Sequence, residues 1–568
     1  TGLVLGKIQS GKTLSFTSLT ALARDNGYRL IIIISGRTNL LLKQTIDRLR
    51  KDLVKNDKKR FNIILNADNN NCKKIIKKLN SKKEKLVIMP VLKHQDRISD
   101  LKDLFTDPTI KNLITKKSVL IIDDEADQAS LNTQARNNER FGLNNESAIY
   151  ASVKNLRYNL PNHSYIQYTA TPQGPLLIDS LSLLSPDWHV VLTPGEKYTG
   201  GTAFFDGDYQ IVENIKSEGN YPPDLNDLES PPNSLRLAII EFLILSALMD
   251  SIEDKKNCHE KASMLIHPTH LVNEKEATKD ELTFIKKGIK NFYDWTVNIL
   301  ETAEKELIRE ENDEFLSEYN KIKNRLEDKN IFKKFPVFED IIDIIKEEIL
   351  DDYEVHQVTG GMLEKGEEFP WDDNSYNILV GGQLLDRGFT VENLIMTYMP
   401  RDTKGKNQSD TIQQRCRFYG YRKDYLPFCR VYLTHGLMND YQDYNEFENE
   451  IHNYLSENSL EDFYKNGSAM LMGNTMNPTN ISRISEKIIS HHLTKTQYFE
   501  PQFPFISENN TLITNFINKI KKEYTQEILM PKIKTHQKEN VRHRVTKILP
   551  EQIIELLLKY QINNKHEK

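Results

Sequence analysis

The sequence predicts an α/β protein: two parallel-sheet domains, a helical insertion in the second, and a mainly helical C-terminal region. Three observations carry this. Apolar runs rich in β-branched residues recur through the first part of the chain, separated by helical stretches: "GLVL", "RLIIIIS" (29–35), "KLVIMP" (85–90), "SVLIID" (118–123) and "SYIQYTA" (164–170). Runs without polar alternation mark strands covered on both faces, as in a parallel sheet between helical layers. A Pro-, Asn- and Asp-rich stretch at about 215–233 reads as a linker, and beyond it comes a second set of runs. Finally, the first run leads straight into a glycine-lysine loop, the usual start of a nucleotide-binding sheet.

In chain order, residues 1–214 form the first predicted domain and 215–260 a linker with one core helix. That helix is "LRLAIIEFLILSALM" (235–249), too short to span a bilayer, interrupted by Arg236 and Glu241, with Ser234 as its expected N-cap. Residues 261–440 form the second domain, with strands expected at "SMLIHP" (263–268), "YEVHQVTG" (353–360), "YNILVGG" (376–382), "LIMTYMP" (394–400) and "CRVYLT" (429–434). A charged segment of helical period at about 272–350 reads as an insertion. Residues 441–568 read as helical, and their basic stretch "KIKTHQKENVRHRVTK" (532–547) as a solvated face.

Composition narrows the function classes. With 76 Lys+Arg against 81 Asp+Glu the net charge is -5, so any nucleic-acid surface is local. The hydrophobic share of 38% and mean hydropathy of -0.57 suit a soluble globular chain. Four scattered cysteines with no CxxC pair argue against a disulfide framework or structural zinc and suit a reducing cytosol. A secretory signal peptide is not expected. The chain begins at Thr1 directly before a strand, so residues are expected upstream, among them those that grip the nucleotide's base.

Four stretches carry chemistry. "GKIQSGKT" has phosphate-loop spacing, with Gly6, Gln9, Ser10, Gly11, Lys12 and Thr13 as the nucleotide-binding set. Loop N–H groups cradle phosphate oxygens, Lys12 neutralises the terminal phosphates and Thr13 ligates Mg²⁺. "VLIIDDEADQAS" ends a buried strand in acids: Asp124 is expected to hold the metal and Glu125 to orient the attacking water. Asp123 exchanges roles with Asp124 if the register shifts by one. In "YTATPQGP", Thr169 and Thr171 are expected to couple the nucleotide to a neighbouring domain. The fourth is a pair. "GGQLLDRGFT" contributes Asp386, Arg387 and Gly388, the last to nucleotide binding, and "TIQQRCRFYGYR" contributes Gln414 to coupling and Arg417 and Arg422 to catalysis. Arginines from a second domain stabilise charge on the γ-phosphate in the transition state.

These elements in this order resemble the superfamily 2 helicases and translocases, whose two sheet domains are RecA-like. More narrowly, "GKIQSGKT", "RLIIIISGRTNLLLKQT", "TPGEKYTGGTAFF", "SMLIHPTH", "LLDRGFT" and "RFYGYRKDYLPFCRVYL" resemble the Z-one domain family of bacterial proteins. The resemblance implies a cytoplasmic bacterial enzyme using ATP and Mg²⁺ on DNA. It further implies a role in restriction-modification or antiphage defence beside nuclease, methylase or GHKL-ATPase partners; the family has also carried an endonuclease label. One departure matters. The usual ending spaces its arginines three apart, whereas Arg417 and Arg422 lie five apart, so the choice of finger among them and Arg415 stays open.

Three readings follow: a motor on DNA, with RNA open as its track; a nuclease; and an ATP switch that gates partner proteins. The nuclease reading lacks its pattern. In "SPDWHVVLTPGEKY" the residues after Asp187 place Glu196 and Lys197 side by side, without the residue expected between them.

Overall fold

The computed structural model describes residues 1–80, 85–115, 117–128, 130–132, 146–160, 162–176, 178, 182–215, 229–252, 261–268, 279–358, 371, 373–382, 391–400, 412, 413, 415–464, 506–523, 527–529, 543–545 and 550–559. Two compact units result, Thr1–Leu493 and Thr494–Lys568.

The first unit holds two sheets, both parallel throughout their described strands. In the first, β1 (Gly2–Leu5), β2 (Leu30–Ser35), β3 (Phe61–Ile63), β4 (Leu86–Leu92), β5 (Val119–Asp124), β6 (His163–Thr169) and β7 (Trp188–Val191) stand in the order β3-β4-β2-β5-β6-β1-β7. All five runs singled out in the sequence are strands here. The isoleucines of β2 are fully buried, as the absence of polar alternation required. β3 and β7 were not expected: β3 has three residues, and β7 alternates exposed and half-buried positions at the sheet edge.

The second sheet contains β8 (Val212–Asn214), β9 (Ala262–Ile266), β10 (Tyr353–Val358), β11 (Tyr376–Gly381), β12 (Leu394–Met399) and β13 (Arg430–Leu433), ordered β10-β11-β9-β12-β13-β8. β8 corrects the boundary expected at residue 214. Its residues precede the linker yet pair with β13, Val212 opposite Val431. α1 (Lys12–Asp25) follows β1, and α2 (Asn233–Asp250) is the expected core helix. α2 is buried on nearly every side within the core of the second sheet and so belongs to that sheet more than to a linker.

Both charges that interrupt α2 are paired. Arg236 forks to Glu306 at 2.7 Å and Glu314 at 2.6 Å, while buried Glu241 meets Arg430 Nε at 2.8 Å and accepts from Tyr432 OH. Ser234 is not the cap. Pro232 holds that position, and Ser234 Oγ instead pairs with Tyr398 OH at 2.8 Å.

The expected insertion is helical: α3 (Lys279–Ile308), α4 (Asp313–Leu326) and α5 (Phe338–Ile344), the last running into a π-turn, Ile345–Ile349. After β13 comes α6 (His435–Glu457). The second unit has helices Ile506–Glu523 and Pro550–Lys559, with β14 (Glu527–Leu529) and β15 (His543–Val545) antiparallel, a pairing the helical reading missed. The basic stretch 532–547 lies largely outside the described residues. No helix among the described residues is long and apolar enough to cross a membrane.

Candidate functional site

Strand order assembles the site. β1, β6 and β5 are neighbours, so the loops at their C-terminal ends lie side by side, where parallel sheets bind ligands. These are the loops that carry "GKIQSGKT", "TATP" and "DEAD".

The phosphate loop is held open by its backbone. Gln9 and Gly11 have φ of 52° and 101°, left-handed values of the kind found in anion-binding turns. A Cβ on Gly6 would lie 2.9 Å from Lys12 Cγ, so that position needs glycine. Gly6 N–H is tied to Thr169 O at 3.0 Å and Ser10 Oγ donates to Lys7 O at 2.7 Å. Gly11 precedes Lys12 without a side-chain cap, which leaves the first N–H groups of α1 for an anion. Thr13 stands in that first turn. Lys12 Nζ donates back to the carbonyls of Gly6 (3.2 Å) and Lys7 (3.1 Å). Burial pushes its pKa down, against the fields of Asp124, Glu125, Asp127 and Glu448.

The acidic turn shows why Asp124 and not Asp123 faces the loop. Asp123 is fully buried, paired with Lys93 Nζ at 2.8 Å, and accepts from Tyr165 OH. Lys93 Nζ also donates to the carbonyls of Asp124 (2.6 Å) and Glu125 (2.7 Å). One lysine thus pins the whole turn, including the left-handed Glu125 at φ 52°, a conformation a non-glycine residue keeps only when its surroundings impose it. Burial raises the Asp124 pKa, opposed by Lys12 and Lys93. Burial also pushes Glu125 up to about 7, with Asp124 and Asp127 adding and Lys93 and Arg417 opposing.

This donor set fits Mg²⁺. A hard cation between the Thr13 hydroxyl and Asp124 would offset the penalty that burial places on that carboxylate. Thr169 Oγ1 donates to Asp127 Oδ1 at 2.6 Å and accepts from Thr171 N at 2.9 Å, which ties the two loops to each other. Thr171 Oγ1 is buried with no partner among the described residues.

Lys93 was not anticipated; its only signal is a lysine directly after the run "VIMPVL". Replacing Lys93 by Met leaves Asp123 buried and unpaired. We expect a loss of about 3–5 kcal/mol in stability, read as a lower denaturant midpoint.

The second sheet reaches this site through residues 415–425. Gly420 bridges Thr199 antiparallel (Thr199 N to Gly420 O, 2.7 Å), and its φ of 135° together with Gln9 Oε1, 3.0 Å from a would-be Cβ, requires glycine. Tyr421 OH donates to Ser10 O at 2.9 Å, Gln9 Nε2 to Arg417 O at 3.4 Å, and Tyr198 OH to Ile8 O at 2.8 Å. Phe204 of "YTGGTAFF" packs on Phe418 and Tyr419, with centroids 5.2 and 5.5 Å apart.

Two of the three candidate arginines now separate. Arg417 is buried, close enough to Glu125 for its charge to act on that carboxyl. Arg422 has its guanidinium occupied within its own segment and by β12. Its guanidinium donates to the carbonyls of Leu394 (2.7 Å), Arg417 (2.9 Å) and Tyr419 (3.3 Å) and to Tyr425 OH (2.7 Å), which makes it the strut under Arg417. Arg415 is buried, its carbonyl accepting from Arg417 N at 2.7 Å. Gly388, Asp386, Arg387 and Gln414 lie outside the described residues.

Residues 234–465 match the family model of the Z1 domain, the family that the sequence resembles. The match takes in α2, the second sheet from β9 to β13, and α6. No curated protein matches the chain in sequence. Among solved structures it is similar to the Mycobacterium smegmatis helicase Lhr bound to ssDNA and AMP-PNP (TM-score 0.37, 10% identity, 80% of this chain and 46% of that one). It is similar also to the DUF1998 helicase MrfA bound to DNA (0.37, 10%, 88% and 57%). A third is S. cerevisiae Dbp5 bound to RNA and ADP BeF3 (0.34, 12%, 80% and 89%). The chain spans less than two thirds of the length of the first two. Likenesses this low add nothing to what the sheet order itself shows.

Proposed function

We propose that this chain is an ATP-dependent motor that moves along DNA, serving a bacterial defence or restriction-modification system. One observation supports the reading: the residues of the candidate nucleotide site come from both sheets. Phosphate loop and acidic turn lie on the first sheet, and Arg417 comes to them from the second.

In this mechanism Lys12 and the loop N–H groups bind the phosphates; Thr13 and Asp124 would hold Mg²⁺, which would supply positive charge against them. Glu125 orients the attacking water. Arg417 stabilises the charge that develops in the transition state, which couples hydrolysis to closure between the sheets. The Thr169–Asp127 bond relays the nucleotide's state to the neighbouring loop. DNA as the track, and the nuclease, methylase or GHKL-ATPase partners, rest on the family resemblance. Against a nuclease stands Lys197, which is spent on Asp424 at 2.7 Å.

The test is steady-state ATP hydrolysis with single-stranded DNA, duplex DNA or RNA. DNA is expected to raise the rate several-fold, and the effect to fade with salt because the contacts are to phosphates. Greater stimulation by RNA would reassign the track. A rate indifferent to every nucleic acid would leave the switch that gates partner proteins as the better reading.

A further inference from the structure

α6 begins on one sheet and ends on the other. Near its start, Leu437 and Tyr441 are buried in the core of the second sheet. Near its end, Ile451 and Leu455 pack with Leu3 and Leu5 of β1. Between these two attachments the helix meets the phosphate loop at Lys7, a residue the loop pattern does not constrain. Lys7 Nζ donates to Asn449 Oδ1 at 2.6 Å and lies 3.6 Å from Glu448 Oε2.

The arrangement is built. Asn449 Nδ2 donates to Thr202 Oγ1 (3.1 Å) and Asn445 Oδ1 (3.3 Å), which turns its carbonyl oxygen toward Lys7. Asn445 in turn fills the space over Gly201, where a Cβ would come within 2.3 Å of its Oδ1. The "TGGT" segment is therefore the seat of this helix. Glu448 is buried, and Tyr444 OH donates to it at 3.1 Å. Its pKa is raised by burial, with Lys7 the first of the groups that oppose the rise. His452, one turn on, is pushed down to about 3 by burial beside Lys7 and Lys12, so it adds no charge.

We propose that Lys7 is a second phosphate-binding lysine, held by Glu448 and Asn449 and drawn off by the γ-phosphate of a bound triphosphate. A terminal phosphate offers more charge than one poorly solvated carboxylate, and Tyr444 stays with Glu448 when the lysine leaves. The loop then releases α6 from its middle, while both ends of the helix keep their apolar seats. Triphosphate is thereby told from diphosphate by a helix of the region that matches the Z1 domain. The inference rests on the nucleotide reading of the loop.

The test is calorimetric binding of AMP-PNP and of ADP to the full chain. The double variant K7M/E448Q leaves no buried charge unpaired. It is expected to lose about tenfold in AMP-PNP affinity, one charge-assisted hydrogen bond, with ADP affinity unchanged. E448Q alone is expected to tighten AMP-PNP, because nothing holds Lys7 back. Equal losses for both nucleotides, wild-type affinities in the double variant, or no tightening in E448Q would each overturn the proposal. If wild type binds neither nucleotide and Lys12→Ala changes nothing, the nucleotide reading falls and this inference with it. If wild type binds both and Lys12→Ala abolishes binding, a negative result in the Lys7 and Glu448 variants counts against this inference alone.

Discussion

Glu125→Gln is expected to bind ATP and to hydrolyse it about a thousandfold more slowly than wild type, the usual loss when a positioned base is removed. The expectation follows from what surrounds the carboxyl. Glu125 is pushed up to about 7 by burial beside Asp124 and Asp127, so a neutral amide is well tolerated there. The strained turn is held through main-chain carbonyls by Lys93 and survives the substitution. Nothing that contacts phosphate is altered. Binding and phosphate release measured on one preparation decide the matter: near-normal turnover sinks the assignment, while loss of binding means that Glu125 supports the loop.

Arg417→Ala is expected to retain nucleotide and lose a thousandfold or more in kcat, roughly the contribution of an arginine finger. Arg422→Ala is expected to behave differently. Its removal takes the guanidinium from the buried carbonyls of Leu394 and Tyr419 and leaves Arg417 O with only the long bond from Gln9, at about 1–3 kcal/mol for each group left unsatisfied, so its midpoint falls. Denaturant unfolding and single-turnover hydrolysis on both variants separate the two roles. A normal midpoint with hydrolysis lost in Arg422→Ala would transfer the finger to that residue.

The difference between these arginines shows where sequence reading stops. "RCRFYGYR" announced a cluster, but a motif does not say which guanidinium is spent on its own backbone. The buried strands were legible because β-branched runs such as "IIII" leave no other economical place for themselves. Asp123 and Asp124 were ambiguous in sequence because both end β5; the pleat sends them to opposite sides, and Lys93 takes the first. Lys93 and Glu448 stayed hidden for a common reason. Each acts across a distance in sequence that no local pattern encodes, Lys93 over the end of β2 and Glu448 from a helix beyond the second sheet. β8 was missed because three residues carry no period, and its neighbours suggested that the chain was leaving a domain.

β8 also has a consequence for how the molecule is made. Its partner β13 is synthesised only after the linker, the insertion and four other strands of the same sheet have left the ribosome. Until then the edge it will cover stands open, and the Gln210 and Ile211 carbonyls wait for Arg430. Closing so long a loop is slow, and the unpaired edge is exposed to wrong partners meanwhile. The same interleaving binds the finished chain: a protease that cut between β8 and α2 would nick the backbone without separating the sheets, because β8 would remain stitched to β13 on the far side of the cut.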